Sequence, residues 1–280
     1  MTMQARLDST VDQLCKGRHL QGELLTCPTR ASAAGTAAAP LGLVSNETKR
    51  TPATDRIEIN THAKRVKRMS TAVHHSARLI DFDCVGGGRR WNKKFVTLTY
   101  ADVDGWEPGH IRDFSQLLRQ WCKRRGLPLR AVWVSELQQR GAVHYHMVVW
   151  LPKSYMIPAP DKSGWWPHGM TNVKTVKNPT AYIAKYASKT TADDAARYPK
   201  GARMHGACGL DKEGKRHLRY WQAPYWVRDG LGGRADIRKV TGGYADKITG
   251  EFLPSPWVVV LEGGKVWAIK KPENEPMRMH

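Results

Sequence analysis

No apolar run in this 280-residue chain approaches the ~18 residues that span a bilayer. The longest, Met147–Leu151 and Trp257–Leu261, are strand-sized. The opening Met1-Thr2-Met3-Gln4 lacks the basic flank and apolar stretch of a secretory signal. Neither a membrane-spanning nor a secreted protein is expected. Cysteine is sparse: Cys15, Cys27, Cys84, Cys122 and Cys208 are odd in number, far apart and without a Cys-x-x-Cys pair. That excludes a zinc ribbon or a disulfide framework and fits free thiols in a reducing cytoplasm. Aromatic residues are missing from the start: all eleven Trp lie at Trp91 or later, all nine Tyr at Tyr100 or later, and only Phe82 precedes them. Such a segment buries too little surface to offset its ordering entropy. Residues 1–85 are therefore read as a flexible basic tail, with at most a short helix near Val11–Lys16. Within the tail, Lys64-Arg65-Val66-Lys67-Arg68 reads as a solvated linker or a nucleic-acid-binding arm, and Met69 is an alternative start.

Acidic residues are the remaining scarcity. Lys plus Arg number 45 against 25 Asp plus Glu, a formal net charge of +20. A balance of that size predicts a polyanionic partner, with nucleic acid ahead of an anionic membrane surface. Residues 81–190 carry 17 basic and 8 acidic side chains, which points to a broad surface and not to a single tail.

From residue 90 the periodicities sharpen. Lys94–Tyr100 alternates and is β-branched, as a strand does. Over Pro108–Arg125, Ile111, Phe114, Leu117, Leu118 and Trp121 form one helical stripe. Ala131–Gln138, Ala142–Leu151 and Met170–Val176 read as strands. Asn178-Pro179 supplies an N-cap and first-turn pair for a helix over Thr180–Lys189. The order β-α-β-β-β-α predicts an α+β fold with an antiparallel sheet of ferredoxin-like or RRM-like topology. The expected division is a tail over 1–85, a core over 90–195 and a basic, Trp-rich extension over 196–280.

Inside the fourth segment, His144-Tyr145-His146 sends both histidines to one face, about 7 Å apart at strand spacing. The loop Gln139-Arg140-Gly141, with Gly third, predicts a three-residue hairpin. That register sets Glu136 opposite His144 and diagonal to His146. A His₂Glu set with open positions suits a divalent cation acting on a phosphate: Mg²⁺ or Mn²⁺, with zinc not excluded. The plain alternative is a His–Glu ion pair that pins the hairpin. On the following helix, Tyr182, Lys185, Tyr186 and Lys189 share an arc of roughly 100°. They read either as amphipathic packing or as a phenol nucleophile beside an ammonium that eases phenolate formation.

These residues resemble a family. Phe95-Val96-Thr97-Leu98-Thr99-Tyr100, Glu136, His144-Tyr145-His146 and Tyr182-x-x-Lys185-Tyr186 are similar to motifs one to three of the HUH rolling-circle replication initiators, in the style of filamentous phages and microviruses. The resemblance covers about residues 94–190. It implies a nickase in which Tyr182, with Tyr186 as a second nucleophile, attacks a DNA phosphodiester. A 5′-phosphotyrosine link forms and a 3′-OH is freed for a host polymerase. It assigns His144, His146 and Glu136 to Mg²⁺ or Mn²⁺ and Lys185 to the tyrosine. Its partners would be single-stranded or supercoiled origin DNA and, as no helicase domain is present, a host helicase in a bacterial cytoplasm. Arg140, Lys174, Lys177 and Lys189 are the candidate DNA contacts. A two-tyrosine transposase of the same superfamily, a non-catalytic RRM-like binding protein and a water-using metal hydrolase remain open.

Two further segments carry weaker signals. Gly209–Arg216 satisfies most of a P-loop pattern, but Arg216 stands where a magnesium-binding hydroxyl belongs, so the stretch reads as a solvated basic loop. Trp165, Trp166, Trp221 and Trp226, interleaved with Arg203, Arg216, Arg219 and Arg228, suit stacking platforms for single-stranded DNA or ordinary core packing. Trp257–Leu261 and Lys265–Ile269 read as a terminal hairpin about Glu262-Gly263-Gly264.

Overall fold

The computed structural model describes residues 56–86, 90–233 and 235–272, all within one compact unit, Arg50–His280. The proposed helix near Val11–Lys16 lies outside them. The fold is mixed α+β with antiparallel sheets. Its centre is a five-stranded sheet built from β2 (Trp91–Thr99), β3 (Arg130–Leu137), β4 (Val143–Pro152), β5 (Thr171–Thr175) and β6 (His205–Cys208), in the order β5-β2-β4-β3-β6. Its first four strands in that order follow a ferredoxin-like arrangement. The second helix, however, comes after the fourth strand and not before it.

Strand β4 reads as an almost unbroken apolar run because it is central and covered on both faces. Pleating sends His144, His146, Val148 and Trp150 to one side. Tyr145, Met147, Val149 and Leu151 go to the other. The second side packs under α2 (His110–Lys123), whose Ile111, Phe114, Leu118 and Trp121 are buried there, as its stripe predicts. The first side is covered by α3 (Pro179–Lys189) and α1 (Thr61–Gly86). Asn178 caps α3 by accepting from the Ala181 N–H at 3.1 Å, with Pro179 in the first turn.

Helix α1 corrects the expected tail boundary. Met69, Val73, Ala77, Ile80 and Cys84 recur at spacings of three and four and are all buried against the sheet. A stripe of aliphatic and small side chains suffices without aromatics, because the aromatic surface is supplied from the other side by Trp150 and Phe95. The Trp150 Nε1–H donates to Asp81 at 2.9 Å. The basic run Lys64–Arg68 lies in the first turns of this helix and is not a linker. Arg65 donates to the Ala195 and Ala202 carbonyls, Asn60 caps the start by accepting from Ala63, and Met69 is fully buried. Upstream, β1 (Arg56–Glu58) pairs with β11 (Lys265–Lys270), which also pairs with β10 (Trp257–Glu262). The expected terminal hairpin is present, and Gly263 and Gly264 (φ 58 and 73) supply its turn.

The boundary at 195 also moves. After the short α4 (Ala192–Arg197), β6 joins the central sheet beside β3. Then α5 (Lys212–Gln222) packs on α1, followed by α6 (Tyr225–Leu231). The P-loop-like stretch is no loop: Asp211 caps α5, accepting from the Gly214 N–H at 2.6 Å. Strands β7 (Ile237–Val240), β8 (Gly243–Asp246) and β9 (Phe252–Pro254) form a separate small sheet. Among the tryptophans, Trp166 is core, Trp165 packs on Trp121, Trp226 on Tyr244, and Trp221 stacks on His75. Cys84, Cys122 and Cys208 are free thiols. No helix among the described residues is long and apolar enough to cross a membrane.

Burial pushes His75 down to about 4 from 6.5. It does the same to His205, helped by Arg68, Arg203 and Arg65. The folded chain therefore binds fewer protons than the unfolded chain between those limits. Stability should be intact above about pH 6.5 and fall as the pH drops toward 4. Urea midpoints measured across that interval check this, and a midpoint independent of pH there would contradict it.

Candidate active site

The hairpin that carries the site closes as its sequence predicts. The Gln138 N–H donates to the Ala142 carbonyl at 2.9 Å, Gly141 adopts φ 91, and Glu136 pairs directly with His144. A side chain at 141 would be strained in that conformation. The two imidazoles lean together, with ring centroids 4.6 Å apart, closer than the strand spacing implies.

Glu136 makes its bond on the diagonal. Its Oε2 lies 2.9 Å from His146 Nε2, and its Oε1 accepts from Lys189 Nζ at 3.2 Å. The hydrogen bond with His146, followed by that with Lys189, holds its carboxyl below the usual range. His144 Nδ1 lies 2.8 Å from Gln138 Nε2, and its Nε2 lies 3.5 Å from Thr99 Oγ1. Burial pushes His144 down to about 4 and lowers His146 as well, the latter opposed by Glu136. Both rings are neutral at pH 7, the state in which imidazole binds a metal.

Helix α3 lays its tyrosines over this cluster. Phe95 of β2 is the common floor, with ring centroids 4.5 Å from Tyr182, 5.2 Å from Tyr186 and 5.4 Å from His146. Tyr186 sits on His146 at 3.7 Å, with Lys189 Nζ 4.8 Å from its ring. The two phenols are not equivalent. Burial raises Tyr186 to about 12. Tyr182 is lowered, first by a hydrogen bond with Lys174 and then by one with Tyr186.

Lys174 is expected from the sequence to be a DNA contact. The register places it opposite Phe95, and its Nζ lies 5.0 Å from the Tyr182 ring. Lys185 is exposed and acts on Tyr182 only through space. Lys177 is exposed beyond the end of β5. Arg140 donates to the Tyr100 and Ala101 carbonyls and to Gln138, so it fastens the hairpin to the end of β2. Gln138 and Thr99 on His144, and Phe95 beneath the tyrosines, are site residues that the sequence reading missed. The alternation of β2 was the available signal, since Phe95, Thr97 and Thr99 share the face of the histidines.

An open hollow of about 520 Å³ is lined by Glu136, Gln138, Gln139, Arg140, His144, His146, Tyr186 and Lys189. Among the described residues, no group of three or more His, Cys, Asp or Glu side chains is already disposed as a cation cage. The reason is visible: His146 and Glu136 are bonded to each other, and Lys189 occupies the second carboxylate oxygen. The donor chemistry nonetheless fits a divalent ion, with two neutral imidazoles, one carboxylate and a buried His146 Nδ1 that has no hydrogen-bond partner.

No curated protein and no solved structure matches the chain. Residues 93–191, which hold β2 to α3 and so the whole cluster, match the family model described as replication-associated protein, of the ORF2 type, and that match supports a role in the initiation of DNA replication.

Proposed function

We propose that this protein is a metal-dependent nickase that opens single-stranded origin DNA by forming a covalent tyrosine link. The observation that carries the reading is the placement of two phenols, one of them lowered by a lysine, over a His₂Glu cluster within the matched segment. Tyr182 Oη forms a bond to phosphorus, and the bond from phosphorus to the 3′ oxygen breaks. The products are a 5′-phosphotyrosine and a 3′-OH, the latter protonated by solvent. Lys174 steadies the phenolate, and Tyr186 donates to it. His144, His146 and Glu136 would hold Mg²⁺ or Mn²⁺, which supplies charge neutralisation at the phosphate. Such an ion competes with Lys189 for Glu136. Released from the carboxylate, Lys189 is free to approach the phosphate.

Two tyrosines four residues apart also suit a two-tyrosine transposase, but the matched family favours replication initiation. Host helicase and polymerase complete the proposed cycle, in a bacterial cytoplasm. The test is incubation with a randomised single-stranded DNA pool and Mn²⁺. The expected product is an SDS-resistant adduct whose attached strands share one sequence. Binding with neither cleavage nor adduct would leave an RRM-like binding protein instead.

Lys174 gives a graded test. Lys174→Ala should slow adduct formation about tenfold near neutral pH, the equivalent of one pKa unit in the nucleophile. The deficit should shrink as the pH rises, and Lys174→Arg should restore much of the rate. A pH-independent loss would assign Lys174 to DNA contact alone.

A further inference from the structure

The sheet ends at β6, whose outer edge has no strand partner among the described residues. A hollow of about 630 Å³ opens along this edge, and a second of about 460 Å³ lies on its other flank. Both are lined by Arg119, Arg203, Gly206, Ala207 and Cys208. Lys123 and Lys215 join the first. Among the described residues, no acidic side chain lines either hollow.

Arg119 and Lys123 come from α2, Arg203 from the approach to β6, and Lys215 from α5. All four are exposed. Segments distant in sequence thus converge four like charges on one groove. That arrangement is self-repelling unless an anion occupies it. The edge itself is tightly built. A Cβ on Gly206 would lie 2.5 Å from Trp133 Nε1, and one on Gly209 would lie 2.5 Å from the Leu129 carbonyl.

The groove is continuous with the tyrosine site. The Ser135 N–H donates to the Met204 carbonyl at 2.8 Å, and Ser135 Oγ donates to the Arg203 carbonyl. Ser135 is the residue next to Glu136. From there β6 runs beside β3 as far as the pair Ala131–Cys208, so the groove leads away from Glu136 by about 16 Å at strand rise. A polyanion emerging from the site along this edge meets Arg203 first, then Arg119, Lys123 and Lys215.

We propose that this edge groove is a second binding site, which holds the phosphate backbone of the single-stranded nucleic acid flanking the scissile position. It rests on the nickase reading only for its occupant. Its contacts are to phosphates and are indifferent to base sequence.

The test compares the full chain with a variant carrying Arg119→Gln, Lys123→Gln, Arg203→Gln and Lys215→Gln. These exposed changes leave the core untouched, and unchanged thermal unfolding would verify that. The probe is a long fluorescent oligo-dT titrated at several salt concentrations. Each lost phosphate contact should lower the slope of log affinity against log salt by about 0.7. The variant should therefore lose two to three units of slope, roughly, and bind about tenfold more weakly or worse at moderate salt. Adduct formation with the randomised pool at saturating DNA should be unchanged.

An unaltered slope and affinity would overturn the groove and leave the nickase reading intact. A lost slope in a protein that forms no adduct would uphold the groove and sink the nickase. Equal losses for a duplex of the same length would overturn the single-strand assignment. Binding of a polyglutamate peptide in place of oligo-dT, abolished in the variant, would assign the groove to an acidic protein.

Discussion

Replacing Tyr182 by Phe should reduce covalent adduct formation by at least about 10³-fold, because it removes the attacking oxygen and leaves the ring on Phe95. Tyr186 is a poor substitute. It is raised to about 12, packed on His146 and flanked by Glu136, which opposes formation of its phenolate. Tyr186→Phe alone should therefore spare the first cleavage. It should block a second strand transfer, in which the adduct is resolved by a second phenol. The double change should abolish both. Gel mobility in SDS separates these cases, since each covalent complex shifts by the mass of its strand. Equal loss from either single change would mean that the two phenols act as one unit.

The second large effect belongs to the histidines. His144→Ala or His146→Ala should lower the rate by about 10²-fold or more, the scale of losing charge stabilisation at a phosphate. Both changes should weaken Mn²⁺ binding followed by spin resonance. Glu136→Gln should do the same while keeping an acceptor for Lys189, now uncharged. The competing account is an ion pair between Glu136 and His146 that only pins the hairpin. In that account rate would track stability, and Mn²⁺ binding would be absent from the unaltered protein as well. Unfolding midpoints for the same variants separate the two, because a metal ligand lining an open 520 Å³ hollow can be lost with little change in folding.

Much of the site was legible because its signals are local. Asn178-Pro179 fixes where α3 begins. Gly141 fixes the loop, and the loop fixes the register that sets Glu136 against His144. Tyr182 and Tyr186 then need only helical spacing to reach the same side. What was not legible is non-local. Lys174 reaches Tyr182 because β5 pairs with β2 so that Lys174 faces Phe95, and nothing in either segment specifies that pairing. Helix α1 was missed because its buried stripe is aliphatic and its aromatic counterpart, Trp150, lies far beyond it in the chain. Strand β6 has four residues, two of them glycine and alanine, too short to show a period. Arg140 looked like a free cation until the hairpin curled back and put the Tyr100 and Ala101 carbonyls within its reach.

The most direct measurement is mass spectrometry of the peptide carrying the DNA after proteolysis of the adduct. The account predicts a nucleotide joined through its 5′ phosphate to Tyr182, formed only with Mg²⁺ or Mn²⁺ present, and a free 3′-OH on the released strand. Cleavage that leaves unattached 5′ ends, or a link to a residue other than Tyr182, would contradict it.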